Sequence, residues 1–178
     1  MPSLQKKLTI RQEILDDYAT VYALTKAAFD AADHADGDEA QLPERLRARD
    51  SYIPELSLVA ELDGLVAGHI LFTEITIGEQ PALCLGIVSV LPELQGKGIG
   101  SALIQKGHQV ARELGFSVCV LAGHEGYYPR FGYQPINRHG IIFPFEGPEE
   151  CLMVKFLNDR GKSVRGAAIF PPELIPGS

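Results

Sequence analysis

Hydrophobic residues alternate with polar ones in several segments of this chain and recur every three or four residues in others. Alternation predicts β-strands, and the wider spacing predicts helices that pack on one face. The predicted strands cover residues 8–11, 57–62, 65–77, 82–91, 117–122, 150–157 and 166–170. The predicted helices cover residues 16–29, 39–49 and 99–114. Pro54 interrupts the chain before the second strand, and Asp63-Gly64 is a hairpin signal that joins the next two strands.

The order of these elements predicts one mixed sheet with helices on its faces. A meander of strands precedes the last helix and a further strand follows it, so we expect an α/β chain of the α+β, mixed-sheet type. The chain of 178 residues is long enough to form a hydrophobic core. It shows no internal repeat, low-complexity tract or domain boundary, which predicts a single domain over residues 1–178.

The composition is that of an ordinary globular protein, with 46% hydrophobic and 22% charged residues. The net charge of -7 argues against nucleic acid or an anionic membrane as a partner and weakly favours a cationic substrate such as an amine. The N-terminal segment lacks the apolar core of a secretory signal, and no apolar run is long enough to cross a bilayer. The chain has three cysteines, Cys84, Cys119 and Cys151, and no two of them form a C-x-x-C pair, so no zinc site is expected. Their odd number predicts free thiols and a cytoplasmic location.

The segment from Val88 to Ser101 gives the strongest functional signal. A hydrophobic strand ends at Pro92, a turn with Gly96, Gly98 and Gly100 follows, and a helix begins. Glycines let several backbone N–H groups approach one point, and the helix N-terminus adds unpaired N–H groups and a positive dipole end. This arrangement predicts an anion site, for which a pyrophosphate is the best candidate ligand.

Two common phosphate-binding patterns do not fit this turn. The chain contains no G-x-x-x-x-G-K-[ST], and a G-x-G-x-x-G pattern would need glycine in place of Leu103 or Ser101. The pattern that fits is Gln95-x-x-Gly98-x-Gly100. This pattern resembles the acetyl-coenzyme A loop of the GNAT N-acetyltransferases.

A second match downstream supports the same family. GNAT proteins commonly carry a tyrosine followed four residues later by glycine and then an aromatic residue, and Tyr128, Gly132 and Tyr133 fill those places. The segment 123–133 is similar to the bacterial YhbS-like branch. The resemblance implies the GNAT acyl-CoA N-acyltransferase fold, a central, mostly antiparallel, twisted sheet flanked by helices. It also implies an acetyl-CoA-dependent N-acetyltransferase that acts on a primary amine.

The resemblance further implies how acetyl-CoA is held as a co-substrate, with no metal. The pantetheine arm would pair with the backbone of Val88, Ser89 and Val90. The pyrophosphate would bind a run of backbone amides, those of Gln95, Gly96, Lys97, Gly98, Ile99, Gly100 and Ser101. Lys97 would add positive charge, and a backbone N–H near Val90 would polarise the thioester carbonyl.

The two proton transfers of the reaction have their own candidate residues. By the same resemblance Tyr128 is the expected general acid, because a phenol stays protonated at neutral pH and can donate to the departing sulfur. Its neighbour Tyr127 is easily confused with it. For the general base, Glu74 is the nearest strand carboxylate, and His69, His124 or a chain of waters are the alternatives. No cysteine lies in the loop or beside Tyr128, so direct attack by the amine is expected rather than an acyl-enzyme.

The acceptor stays open between a small-molecule amine and a protein amine, and the assembly stays open between a monomer and a homodimer. The alternative function is a non-catalytic acyl-CoA-binding sensor or regulatory module. An acidic segment does not fit the spacing of a calcium loop and is expected to be solvated; it contains Asp30, Asp33, Asp36, Asp38 and Glu39. His34, His108 and His139 show no metal-ligand spacing.

Overall fold

The structure is a computed structural model that describes residues 6–32, 35 and 37–177. Asp33, His34 and Asp36 of the acidic segment, and residues 1–5, lie outside the described residues, and so do the expectations that rest on them. Over the described ranges, no helix is both long enough and apolar enough to cross a membrane.

A single sheet of nine strands, counted over the described residues, forms the centre of the fold. The strands are β1 (Leu8–Gln12), β2 (Tyr52–Leu62), β3 (Leu65–Ile77), β4 (Gln80–Val90), β5 (Val118–Ala122), β6 (Gln134–Pro135), β7 (Ile141–Ile142), β8 (Leu152–Phe156) and β9 (Gly166–Ile169). Their spatial order is β1-β2-β3-β4-β5-β8-β6, and β9 pairs with both β3 and β7. The pairs β4–β5 and β7–β9 are parallel and the others are antiparallel, which confirms the predicted mixed, mostly antiparallel sheet.

Helices cover both faces of this sheet. The α-helices of the described residues are α1 (Tyr18–Asp30), α2 (Leu42–Arg47) and α3 (Ile99–Glu113). On one face α3 packs against β1 to β4, around a core that includes Ile70 and Leu103. On the other face α1 packs against β3 and β4, and Leu46 of α2 packs against Leu71. The neighbours Ile70 and Leu71 therefore point to opposite faces, as strand geometry requires.

Two predicted boundaries differ from the structure at prolines. β2 begins at Tyr52 and runs through Pro54, so the expected interruption is absent. Its pairing with β3 is irregular between Tyr52 and Ser57, and a proline without an N–H is tolerated at such an irregularity. The helix expected over residues 39–49 is instead a 3-10 turn at Glu39–Gln41 followed by α2, because Pro43 in the first turn of α2 favours a new helix start there.

The feature of the fold that matters most for function is the separation of β4 from β5. Over the described residues these strands pair at Leu83–Cys119 and Cys84–Val120 alone. β4 continues to Val90 with β3 as its partner, while β5 stays paired with β8. From Leu85 to Val90 one backbone edge of β4 therefore pairs with no other strand among the described residues. We call this gap the β4–β5 opening.

Candidate active site

The turn between β4 and α3 forms the floor of a cleft. Gly96 has φ of 74° and Gly98 has φ of 87°, a left-handed conformation that side chains other than glycine adopt at a cost. Gly98 is the residue that precedes α3, and no side chain caps the helix there. The first N–H to bond back within the helix is that of Ala102, which donates to the Gly98 carbonyl. The N–H groups before Ala102 in the first turn of α3 are thus available to an anion.

Gln95 shapes this turn through its side chain. Its amide donates a 3.0 Å hydrogen bond to the carbonyl of Val90, the last residue of β4. One residue further, the N–H of Leu91 donates to the carbonyl of Ala67 at 2.9 Å. The end of β4 is therefore fixed to β3 on one side and to the turn on the other. Gln95 contributes to an anion site by positioning the backbone.

The cleft has a volume of about 440 Å³, and we call it the phosphate cleft. It is lined by Val90, Leu94, Gln95, Gly96, Gly98, Ile99, Gly100, Ser101, Tyr127 and Arg130. Most of the residues predicted from the loop motif thus lie together. Val88 is half-buried on β4, Ser89 is buried, and Lys97 is exposed on the turn; none of these three lines the cleft itself.

Tyr127 and Arg130 close the cleft from the opposite side. A Cβ added to Gly100 would lie 3.1 Å from the Tyr127 hydroxyl, so that hydroxyl rests against the first turn of α3. The Arg130 guanidinium lies 4.7 Å from the centre of the Tyr127 ring, and its Nη2 donates to the Gly126 carbonyl at 3.3 Å. Arg130 was not among the predicted residues. The 3-10 turn Tyr128–Phe131 folds this cation back over the glycine-rich loop.

Tyr128 packs against Gly123 and Tyr127 and, like Tyr127, is half-buried. A Cβ on Gly123 would lie 2.5 Å from the Tyr128 ring, which is also packed edge-on against Tyr127 at 5.1 Å. Burial raises the pKa of Tyr128 well above its usual range, with smaller contributions from Tyr127 and from the thiols of Cys119 and Cys84. These two cysteines belong to the last residue pairs that join β4 to β5. Tyr128 is therefore a protonated donor near the apex of the β4–β5 opening.

A buried polar cluster of Tyr133, Cys119 and His108 lies beside Tyr128. The Tyr133 ring packs edge-on against Tyr128 at 5.9 Å. Its hydroxyl donates to Cys119 Sγ at 3.3 Å and lies 2.7 Å from Nε2 of His108. Burial lowers the pKa of His108 to about 3, so the ring is neutral at physiological pH. Cys84 and Cys119 are buried free thiols and Cys151 is a half-buried one, as the sequence predicted.

Glu74 lies away from the phosphate cleft. It is exposed on β3 and pairs with Leu83, whereas Val90 pairs with Gly68 at the other end of the hairpin. Six residues of strand separate the two pairs, which is roughly 20 Å at a rise of about 3.3 Å per residue. The structure does not bring Glu74 to the cleft, and we do not retain it as a candidate base. His124 is exposed, and its carbonyl accepts from the N–H groups of Tyr127 and Tyr128.

No cluster of three or more His, Cys, Asp or Glu side chains suited to a metal occurs among the described residues. In the described part of the acidic segment, Asp30 ends α1 and pairs with Lys26 at 2.6 Å, and Asp38 and Glu39 lie at the start of the 3-10 turn Glu39–Gln41.

Comparison with known proteins agrees with this geometry. Residues 18–133 match the model of the acetyltransferase (GNAT) family. The chain is 37% identical over 136 residues to YjhQ of Escherichia coli (strain K12), named an uncharacterized N-acetyltransferase, and the match covers 72% of this chain and 75% of YjhQ. A GNAT family acetyltransferase of Brucella melitensis, solved in complex with acetyl-CoA, is 32% identical, has a TM-score of 0.78, and is matched over 95% of this chain and 99% of that one. YhbS of Escherichia coli, solved in complex with CoA, shares the fold with a TM-score of 0.86 at 24% identity, over 97% of this chain and 94% of YhbS. This chain therefore belongs to the GNAT acetyltransferase family.

Proposed function

We propose that this protein is an acetyl-CoA-dependent N-acetyltransferase that moves an acetyl group to a primary amine by direct attack. The observation that supports it best is the edge of β4 that pairs with no other strand, which leads from the phosphate cleft towards the half-buried Tyr128. The Brucella melitensis relative binds acetyl-CoA and YhbS binds CoA. The same cofactor suits a cleft with unpaired N–H groups at one end and a protonated phenol at the other.

In this proposal the cofactor follows the β4–β5 opening. The pantetheine arm pairs with the free backbone edge at Val88, Ser89 and Val90, as an added strand would. The pyrophosphate binds the N–H groups of the turn from Gln95 to Ser101, with Lys97 and Arg130 supplying positive charge. A free N–H of the β4 edge polarises the thioester carbonyl, a contribution worth ~2.7–4 kcal/mol for a comparable donor.

The chemical step then uses few side chains. The neutral amine attacks the carbonyl carbon, the carbon–sulfur bond breaks, and the nitrogen loses a proton. Tyr128 gives its proton to the sulfur as it departs, so the sulfur leaves as a thiol. The proton lost by the nitrogen passes to a base or to water, and the Tyr128 phenolate takes a proton back from water. Because burial holds the phenol in its protonated form, Tyr128 is a donor throughout the physiological pH range. The buried Cys84 and Cys119 thiols have raised pKa values, which argues against an acyl-cysteine.

The acceptor is proposed as an amine on a small molecule or on a protein, since a net charge of -7 favours a cationic ammonium form before reaction. We propose that residues 1–178 act as one catalytic domain. We also propose a cytoplasmic location, which the free thiols support.

Cofactor binding is tested by placing a carboxylate in the phosphate cleft. We expect acetyl-CoA to raise the thermal midpoint of the wild type and Gly98→Glu to lose most of that shift, because a carboxylate repels the pyrophosphate. Gly98→Ala is the matched control, since it introduces the same strain at φ of 87° without charge. An equal ligand-induced shift in both variants would place the cofactor elsewhere.

The alternative function, a non-catalytic acyl-CoA-binding sensor, has one observation in its favour. The residues that line the phosphate cleft include no carboxylate and no histidine that could take the amine proton. An acyl-CoA-binding sensor would need no residue that takes up a proton. Release of free thiol from acetyl-CoA in the presence of amines, and not in their absence, distinguishes the enzyme from the sensor.

A further inference from the structure

A fully buried carboxylate lies on the α1 side of the sheet, away from the phosphate cleft. Glu13 receives two hydrogen bonds from Arg47, from Nε at 3.0 Å and from Nη2 at 2.6 Å. It also receives one from the Ser57 hydroxyl at 2.7 Å. The Glu13 side chain is 0% exposed and that of Arg47 is 10% exposed. Both Glu13 oxygens accept from the Arg47 guanidinium in this bidentate pair, so Glu13 acts as an acceptor in these contacts.

The hydrogen bonds of Ser57 determine where His69 carries its proton. Ser57 has one hydroxyl proton, and it points to Glu13, which acts as the acceptor. Ser57 must therefore accept at its second contact, which is Nε2 of His69 at 3.0 Å. Glu13 Oε2 lies 3.4 Å from the same nitrogen. His69 consequently carries its proton on Nε2, and its Nδ1 holds a lone pair.

Directly across the sheet from His69 is Ser89, whose buried hydroxyl lacks a hydrogen-bond partner. His69 Nδ1 and Ser89 Oγ are both buried, and neither has a hydrogen-bond partner among the described residues. Residues 69 and 89 pair directly across β3 and β4, so their side chains share one face about 5 Å apart at Cβ. One atom is an acceptor and the other can donate, so the pair is complementary. Buried polar atoms in folded proteins rarely stay unpaired.

We propose that Ser89, His69 and Glu13 form a proton path that leads from the β4–β5 opening into the α1 side of the sheet. This inference rests on the proposed function, because it supplies the proton acceptor that the phosphate cleft lacks. Ser89 belongs to the β4 segment whose free edge faces the opening. Its hydroxyl is the first member of the path, His69 is the acceptor, and Glu13 is a positioning residue that acts through His69.

The proton balance of this step is simple. An N–H bond of the attacking amine breaks, the Ser89 hydroxyl receives that proton and passes its own to His69 Nδ1, and the imidazolium is stabilised by Glu13. The proton returns to solvent after the products leave. Burial lowers the pKa of His69 to about 4, with Arg47 lowering it further and Glu13 and Asp17 opposing the shift. The ring is therefore neutral before the reaction and gives the proton up readily afterwards.

Nitrogen-15 NMR of the histidine rings tests the hydrogen-bond path, and it needs no amine substrate. We expect His69 to be neutral with its proton on Nε2 between pH 6 and pH 8, and Ser89→Ala to shift its Nδ1 signal. Thr25→Val is the matched control, since Thr25 carries another buried hydroxyl without a partner on the α1 side. His69→Gln assigns the signal. If that variant does not fold, Ser57→Ala and Tyr133→Phe mark the His69 and His108 signals through the hydroxyls that contact those rings. A proton on Nδ1, or an Nδ1 signal that Ser89→Ala leaves in place, overturns the path.

The catalytic role is tested by the pH dependence of kcat/KM for wild type and Ser89→Ala with an alkylamine, such as spermidine or tyramine, that the enzyme accepts. We expect a loss of ~10–100-fold at pH 7 that shrinks as pH rises, because the free amine and hydroxide then replace the path. Thr25→Val should stay near wild type. A constant ratio across pH would show a packing defect and refute the relay. If no amine supports turnover, the proposed function is refuted instead. The NMR result then still decides whether the proton path exists.

Discussion

Replacing Tyr128 with phenylalanine removes one hydroxyl and retains the ring. The ring contacts with Tyr127 at 5.1 Å and Tyr133 at 5.9 Å are kept, and so is the packing beneath Gly123. The hydroxyl takes part in no hydrogen bond with another described residue. Its loss therefore leaves no buried partner unpaired, and the stability should change by no more than about 1 kcal/mol.

The effect on catalysis should be far larger than the effect on stability. If Tyr128 donates to the departing sulfur, Tyr128→Phe should lower kcat by ~10²–10⁴-fold. This corresponds to about 2.7–5.5 kcal/mol of barrier at 1.36 kcal/mol for each factor of ten. The loss should appear equally in kcat and in kcat/KM for acetyl-CoA, because the interaction forms only as the sulfur gains charge.

The matched control for this variant is Tyr127→Phe. The Tyr127 hydroxyl lies against the first turn of α3, at the phosphate end of the cleft, so its removal should change KM for acetyl-CoA modestly and kcat little. The assay is steady-state release of free CoA thiol with an accepted amine. Full activity in Tyr128→Phe, or a greater loss of kcat in Tyr127→Phe, would refute the assignment and make water the proton donor.

Other expected outcomes involve the cleft, the thiols and the buried histidines. Arg130→Gln should weaken acetyl-CoA binding about tenfold in calorimetry, because the phosphates lose one cationic partner. The affinity of both proteins for 3′-dephospho-CoA identifies which phosphate Arg130 contacts. An unchanged affinity for acetyl-CoA would remove Arg130 from the site. Replacing all three cysteines by alanine should leave turnover detectable in the folded variant, whereas complete loss would revive an acyl-cysteine. Folding lowers the pKa of His69 to about 4 and of His108 to about 3, so the unfolded chain binds more protons below pH 6.5 and stability should fall as pH drops from 7 to 5. Each histidine should contribute about 1–2 kcal/mol to this fall in the free energy of unfolding, which urea titration measures at each pH. A His108→Gln variant whose stability depends on pH as the wild type's does would contradict this expectation.

Local signals in the sequence were sufficient for the turn and its helix. Asp63 and Gly64 have positive φ of 53° and 83°, which is the hairpin that their residue types predict. Gly96 and Gly98 also adopt the left-handed conformation that the loop motif requires. These features depend on a few neighbouring residues, so the sequence determines them directly.

Features that depend on strand register could not be predicted in the same way. Glu74 is a strand carboxylate in the sequence, but the pairing of β3 with β4 places it at the far end of the hairpin. The same register brings His69 opposite Ser89, which no local pattern indicates. Arg130 reaches the cleft because the turn after Tyr127 folds back over the loop, a tertiary arrangement without a signal in its own segment.

We propose above all that this protein binds the pyrophosphate of acetyl-CoA in the phosphate cleft and transfers the acetyl group to an amine. The most direct measurement is mass spectrometry of reactions that contain acetyl-CoA and a panel of amines, together with the amount of free CoA formed. We expect at least one acetylated amine in equal amount to the free CoA, and loss of both products in Gly98→Glu but not in Gly98→Ala. Binding of acetyl-CoA without any acetylated amine, or equal product from the Gly98→Glu variant, would contradict it.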